Sequence, residues 1–196
     1  MSAVLEVIDL SKAFDGVQAV RNVSFSVPAG ELIALIGPNG AGKTTCFNLI
    51  NGQLVPDAGV VRLDGKRIDG LPPRQIAHKG VSRTFQVAAT FASMTVRENV
   101  ELALALANEP ALLLMDEPTA GMAHSMRSEL MRLAVDLARG DRLAVLFTEH
   151  DMDVVFGFAD RVIVLDRGSI IAEGTPDAVR ANAQVQAVYL GPDEGA

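Results

Sequence analysis

The five apolar residues Leu32, Ile33, Ala34, Leu35 and Ile36 run directly into Gly37, Pro38, Asn39, Gly40, Ala41, Gly42, Lys43 and Thr44, and a stretch of helical character follows. No other feature of the chain restricts its fold as tightly. The eight residues fit the pattern G-x-x-x-x-G-K-[ST], and a place between a strand and a helix is where that pattern has a mechanical meaning. Gly40 and Gly42 let successive backbone N–H groups turn inward around phosphate oxygens, and the N-terminus of the helix adds positive potential. The Lys43 ammonium then suits the outer phosphates of a nucleotide, and the Thr44 hydroxyl suits Mg2+. The plain alternative is a Gly-rich turn followed by a surface lysine. Chance yields the four fixed positions in about one chain in a hundred of this length, so the strand and helix on either side favour the phosphate reading.

Two further strand ends carry acids. Leu112, Leu113, Leu114 and Met115 lead into Asp116, Glu117 and Pro118. A parallel sheet presents ligands from the C-terminal edge of its strands. There Asp116 would hold hydrated Mg2+, while Glu117 would orient and deprotonate an attacking water. The run 143–147 repeats the arrangement before Thr148, Glu149, His150 and Asp151, which puts the His150 imidazole where it could meet a terminal phosphate and the water. Gln86, after the strand expected over 81–84, could reach Mg2+ or the water through its amide oxygen. Phe14, expected in the loop after the first strand, could stack on a base. Taken alone, His150 reads more readily as a helix-start residue, Gln86 as a loop glutamine and Phe14 as core cover.

The first third of the chain reads as strands over 5–9, 20–27, 31–36 and 60–63 with hairpin-like antiparallel pairing. Beyond Gly37, doubly apolar strands over 111–115, 143–147 and 162–165 alternate with helices over 44–51, 74–78, 125–138 and 152–158, with short ones near 176–180 and 184–189. Strands apolar on both faces suit a parallel sheet covered by helices. The expected fold is therefore α/β, with an antiparallel β lobe mainly within 1–70, in a single domain over 1–196. Thr95 and Glu98 have the spacing of a capping box, and Val96, Val100, Leu104 and Ala107 follow at helical intervals before Pro110, so one helix of about three turns is expected over 95–107.

Composition narrows the function classes. Seventeen basic against 24 acidic residues leave a net charge of −7. That balance argues against nucleic acid as a partner held through its phosphate backbone. The single cysteine, Cys46, excludes an internal disulfide and any multi-cysteine metal site. With no apolar run of spanning length and no basic-then-apolar leader, the expected location is the cytoplasm.

Phe14, the loop from Gly37 to Thr44, Gln86, the run from Leu112 to Glu117, the sequence Thr119, Ala120, Gly121, Met122, and finally His150 stand in the order found in the ATP-binding subunits of ABC transporters, which the chain resembles over nearly its whole length. Residues 71–76, 82–86, 119–122 and the ending Val188, Tyr189, Leu190, Gly191 are similar to the branch that drives import of branched-chain amino acids. The resemblance implies a P-loop NTPase core binding ATP and Mg2+. It gives Phe14 to the adenine, and Gly37, Pro38, Asn39, Gly40, Ala41, Gly42, Lys43, Thr44 and Thr45 to the phosphates. Thr44, Gln86 and Asp116 fall to the metal, and Glu117, His150, Gln86 and Lys43 to catalysis. Residues 119–122 would form the dimer contact called the D-loop. Transmembrane permease subunits and a second ATP-binding subunit are the implied partners, which would place the chain on the inner face of the plasma membrane.

One departure is large. The family carries a helical subdomain of several dozen residues, with the signature Leu-Ser-Gly-Gly-Gln or a variant, between the glutamine loop and the strand that here ends in Asp116. Here Gln86 and Asp116 are only 30 positions apart and no such signature lies between them. Residues 98–102 resemble the entry to that subdomain and 105–110 its exit, joined near 103–105. In the family the signature of one subunit donates to the γ-phosphate held by the other, and each preorganised donor is worth ~3 to 4 kcal/mol. Binding without appreciable turnover or coupling is therefore the alternative expectation.

Overall fold

The computed structural model describes residues 3–84 and 109–190. Gln86, the helix expected over 95–107 and the joint near 103–105 lie outside them. Two sheets organise the described chain. The first is antiparallel, in the order β2-β1-β4-β5, from β1 (Ala3–Phe14), β2 (Val17–Pro28), β4 (Ala58–Leu63) and β5 (Lys66–Arg67). The second has the order β10-β9-β3-β8-β7-β6, from β3 (Leu32–Ile36), β6 (Val81–Thr84), β7 (Leu112–Asp116), β8 (Ala144–Thr148), β9 (Arg161–Asp166) and β10 (Ser169–Gly174). Its strands from β9 to β6 pair in parallel, and β10 turns back antiparallel on β9.

Two expectations need correction. The segment over 31–36 does not join the antiparallel lobe, because β3 lies between β9 and β8 in the parallel sheet. All five of its residues are buried, which only a sheet covered on both faces provides. Phe14 is not in a loop: it ends β1, paired with Val17 across an Asp15-Gly16 turn whose residues both have positive φ, 46° and 83°. Such two-residue turns match the twist of a hairpin, so pairing runs to the residue beside them. The strand looked shorter in sequence because the register shifts between Val7 and Leu10, where Asp9 has φ 49°. A bulge there breaks the two-residue alternation on which the reading relied.

Six helices complete the described structure: α1 (Lys43–Ile50), α2 (Pro73–His78), α3 (His124–Asp141), α4 (Met152–Phe158), α5 (Pro176–Arg180) and α6 (Ala183–Leu190). β3 shows how the layers divide. Ile33 and Leu35 join Phe47 of α1 and the inner face of the β lobe, whereas Leu32, Ala34 and Ile36 join Met131 and Ala138 of α3 and Val155 of α4. Alternate residues of each central strand thus feed two cores, and the sheet between them is held in place from both sides.

Cys46 sits in the first of these cores, fully buried on α1, and burial pushes its thiol up to about 12 from an ordinary value of 9.0. The native thiol therefore stays protonated while the unfolded one ionises above pH 9.0. This stability contribution is complete below that pH and falls as pH rises toward 12, by about 1.4 kcal/mol at pH 10. Urea midpoints at pH 8 and pH 10 are expected to show the loss in the native sequence and a smaller loss in Cys46→Ala. Native Cys46 is also expected to resist thiol reagents that label it rapidly in urea.

Candidate functional site

The loop 37–44 emerges from β3 under tight steric constraint. A Cβ on Gly37, φ 155°, would lie 2.2 Å from the carbonyl oxygen of Leu165 at the end of β9. One on Gly42, φ 107°, would lie 2.3 Å from the carbonyl of Ala19 in β2. Both approaches are to backbone, which cannot swing aside. The Gly168 N–H donates to the Ala41 carbonyl at 3.0 Å, and the Arg21 N–H donates to the Gly168 carbonyl at 2.7 Å, so the floor of the loop is tied to both sheets. Asn39 and Gly40 at its tip are exposed, while Gly37 and Ala41 are buried and Pro38 is intermediate.

Lys43 opens α1 and folds back over this loop. Its ammonium donates to the carbonyls of Gly37 at 2.6 Å and Pro38 at 3.2 Å. Burial pulls its pKa below the ordinary value, and the nearby charges of Glu117 and Asp116 act in the opposite direction. Thr44 beside it is exposed and Thr45 half-buried. Ala19, which Gly42 nearly touches, is two residues beyond the Val17 partner of Phe14, so the hairpin end carrying Phe14 stands next to the start of α1. The Phe14 ring is exposed on that hairpin, with the Lys12 ammonium 5.6 Å from its centre.

Asp116 and Thr148 are register partners at the ends of β7 and β8. The Thr148 hydroxyl donates to Asp116 Oδ1 at 2.7 Å, and the Arg83 guanidinium from β6 pairs with Oδ2 at 2.7 Å. Glu117 follows with φ 49°, a left-handed conformation worth ~1 to 3 kcal/mol of strain in a residue with a Cβ. Its N–H is held by both the carbonyl and the hydroxyl of Thr148, each at 3.1 Å. That turn aims its carboxylate at His150, where Nε2 and Oε1 are 2.8 Å apart. Glu149 is buried and accepts the Thr119 N–H at 2.7 Å and the His150 N–H at 3.2 Å. Asp151 caps α4 by accepting the N–H groups of Asp153 and Val154, and it pairs with Arg127, whose Nε donates to the Met122 carbonyl at 2.9 Å.

The structure therefore gathers the loop 37–45, Asp116, Glu117 and His150 at one sheet edge, brings the Phe14 hairpin beside them, and leaves Gln86 outside the described residues. Arg83, Glu149 and Arg127 were missed as site residues. Each acts through a partner distant in sequence, and only the placement of Arg83 three positions before Gln86 hinted at one of them. A magnesium nucleotide suits this donor set. Main-chain amides and one ammonium could meet phosphate, and a hydroxyl and a carboxylate could supply oxygen ligands of the kind a hard cation takes. Among the described residues no three His, Cys, Asp or Glu side chains converge into a metal cage.

Comparison with known proteins identifies relatives of the whole chain. Residues 20–99 match the family described as "ABC transporter", and residues 169–191 match "Branched-chain amino acid ATP-binding cassette transporter". The high-affinity branched-chain amino acid transport ATP-binding proteins BraF of Pseudomonas aeruginosa and LivG of Escherichia coli are each 32% identical, with 96% of this chain and 98% of the relative covered. The lipopolysaccharide export system ATP-binding protein LptB of Haemophilus influenzae is 31% identical over 96% of this chain and 98% of its own length. The alignments to BraF and LivG span 249 positions, whereas 96% of 196 residues is about 188, so about 60 positions face no residue here. Among solved structures, the ADP conformation of an ATP-binding cassette of an ABC transporter superposes with a TM-score of 0.87 at 25% identity, covering 98% of this chain and all of that one. A loop built for phosphates, an acidic strand end facing it and these relatives lead to one assignment: the chain belongs to the ATP-binding subunits of ABC transporters.

Proposed function

We propose that the chain holds Mg2+-ATP at the mouth of its parallel sheet and energises a transporter that imports branched-chain amino acids. The observation that carries the reading is the facing of Lys43 and the loop 37–44 by the Asp116 and Glu117 carboxylates. The match of residues 169–191 and the kinship to BraF and LivG support the amino-acid branch over the export branch of LptB. ABC ATP-binding subunits work with transmembrane permease subunits and dimerise, so this subunit would sit at the inner face of the plasma membrane beside a permease and a second ATP-binding subunit. Among the described residues no helix is long and apolar enough to cross a membrane.

The roles follow from position. Amides of residues 40–45 grip the phosphates, and Lys43 exchanges the Gly37 and Pro38 carbonyls for phosphate oxygen. Phe14 offers a ring face to adenine, and Gln86 adds an amide oxygen on the metal side. Thr44 and Asp116 would hold Mg2+, which when bound neutralises charge on the phosphates. Glu117 accepts a proton from water as the water oxygen attacks the terminal phosphorus and ADP leaves, and His150 keeps the carboxylate turned toward that water.

A second reading concerns turnover. The 30-position interval between Gln86 and Asp116, and the positions of the relatives that face no residue here, support a nucleotide-binding core that neither hydrolyses nor couples appreciably. Absent signature donors each take about a hundredfold to a thousandfold from the rate. On this second reading, phosphate release by the purified chain stays at the buffer level and is unchanged in Glu117→Gln. Steady release that Glu117→Gln abolishes would decide for the hydrolysing reading.

Binding is tested apart from turnover by calorimetry. Lys43→Ala is expected to weaken Mg2+-ATP by about tenfold to a hundredfold, the worth of a charged hydrogen bond. Phe14→Ala is expected to weaken ATP by about tenfold through lost stacking while leaving inorganic triphosphate unchanged. Equal affinity in the native chain and Lys43→Ala would remove the assignment of this site.

A further inference from the structure

The sequence motifs give Arg83 no role of its own, yet among the described residues its guanidinium is the charged group paired with Asp116. The pair is 2.7 Å long, with the Arg83 side chain 9% exposed and that of Asp116 20%. Arg83 is also fixed from a second direction. Its Nη1 donates to Asn48 Oδ1 at 2.7 Å, and its guanidinium carbon lies 5.7 Å from the centre of the Phe47 ring, both on the helix that begins with Lys43. The other oxygen of Asp116 takes the Thr148 hydroxyl at 2.7 Å. Among the described residues each oxygen thus has one donor, which leaves lone pairs of an ionised carboxylate for something else.

We infer that Arg83 is a positioning residue that partly neutralises Asp116 and keeps its carboxylate one water away from the metal of a bound nucleotide. Mg2+ gives up water reluctantly and does so for concentrated negative charge. A carboxylate that shares its charge with a guanidinium in direct contact, and one oxygen with a hydroxyl, competes poorly for a place in the inner shell. It remains a good acceptor for the N–H and O–H groups around it, which include water already on the metal. The tether from Arg83 to Asn48 also ties this carboxylate to α1, so the metal side and the phosphate side of the site keep a fixed spacing. This inference rests on the proposal that Asp116 serves the metal, and the variants below separate the two.

The readout is metal linkage, the ratio of ADP affinity in Mn2+ to ADP affinity in EDTA, measured by calorimetry on the full chain. Arg83→Gln keeps a hydrogen-bond donor but removes the charge and is expected to raise the ratio by about tenfold or more; Arg83→Lys keeps the charge and is expected to stay within about threefold of the native value. A ratio that is unchanged or lower in Arg83→Gln overturns the inference and leaves Arg83 as a structural tie. A second measurement needs no change at Arg83. Broadening of the Mn2+ resonance by 17O-water counts water ligands on Mn2+-ADP, and the count is expected to be the same in the native chain and Asp116→Asn. One extra water in Asp116→Asn would mean direct ligation and would overturn the inference. Should Asp116→Asn leave metal linkage unchanged, the metal role of Asp116 itself fails and the inference falls with it.

Discussion

Strands buried on both faces can end their apolar character only at an edge, and here β3, β7 and β8 end at the same one. Their register fixes this: Ala34 lies beside Phe147, Met115 beside Phe147, and Asp116 beside Thr148. Asp116, Glu117, Thr148, Glu149 and His150 all fall within three residues of that line, and the loop 37–44 leaves β3 at the same edge. Placement of the loop, the acids and the histidine therefore needs no separate energetic device. It follows from packing five-residue strands into cores on both faces, where a slip of one residue would send every side chain to the wrong face.

Past the line the segments are cross-linked more densely than the strands require. Four consecutive residues at the end of β8 all reach the stretch from 116 to 122. Thr148 meets Asp116 and the Glu117 amide, Glu149 meets the Thr119 amide, His150 meets Glu117, and Asp151 reaches the Met122 carbonyl through Arg127. Glu149 matters most energetically, because a buried carboxylate is tolerated only when its lone pairs are met. The two amides that meet them belong to the turn after β7 and to His150 itself. Glu117, His150 and the segment resembling a dimer contact are consequently one bonded block. A displacement of residues 119–122 cannot leave the His150 backbone unaffected without breaking a buried hydrogen bond.

Much of this was legible in the sequence, for reasons that can be stated residue by residue. Apolar runs of five with glycine or acid at the end identify buried parallel strands, and the loop 37–44 is a fixed-spacing motif, so the sheet and the loop at its edge could be read directly. The α4 and α5 boundaries were legible because Asp151 and Thr175 are side-chain caps. Where regularity fails locally, the reading failed with it. The bulge at Asp9 hid the second half of β1, and β10, half-buried along most of its length, lacks the doubly apolar signature of its neighbours. The pairings of Arg83, Glu149 and Arg127 span 33, 30 and 24 positions, and no local rule links such residues before the sheet order is known.

The shortened interval before β7 can be judged by the same topology. Parallel strands β6 and β7 pair directly, from Val81 beside Leu112 to Thr84 beside Met115, and 27 residues join Thr84 to Leu112. A parallel crossover needs only a dozen residues or more, so the fold does not depend on the several dozen that the resemblance places there. The groups proposed to grip nucleotide lie on the hairpin of β1 and β2, at the end of β3, on the first turn of α1 and at the ends of β7 and β8, and only Gln86 falls within the shortened connection. On the proposed reading the grip rests on the packed sheet, whereas the signature donors that turnover would also need are ones the resemblance places in the longer connection of the family. Shortening that connection leaves the sheet that carries the grip complete.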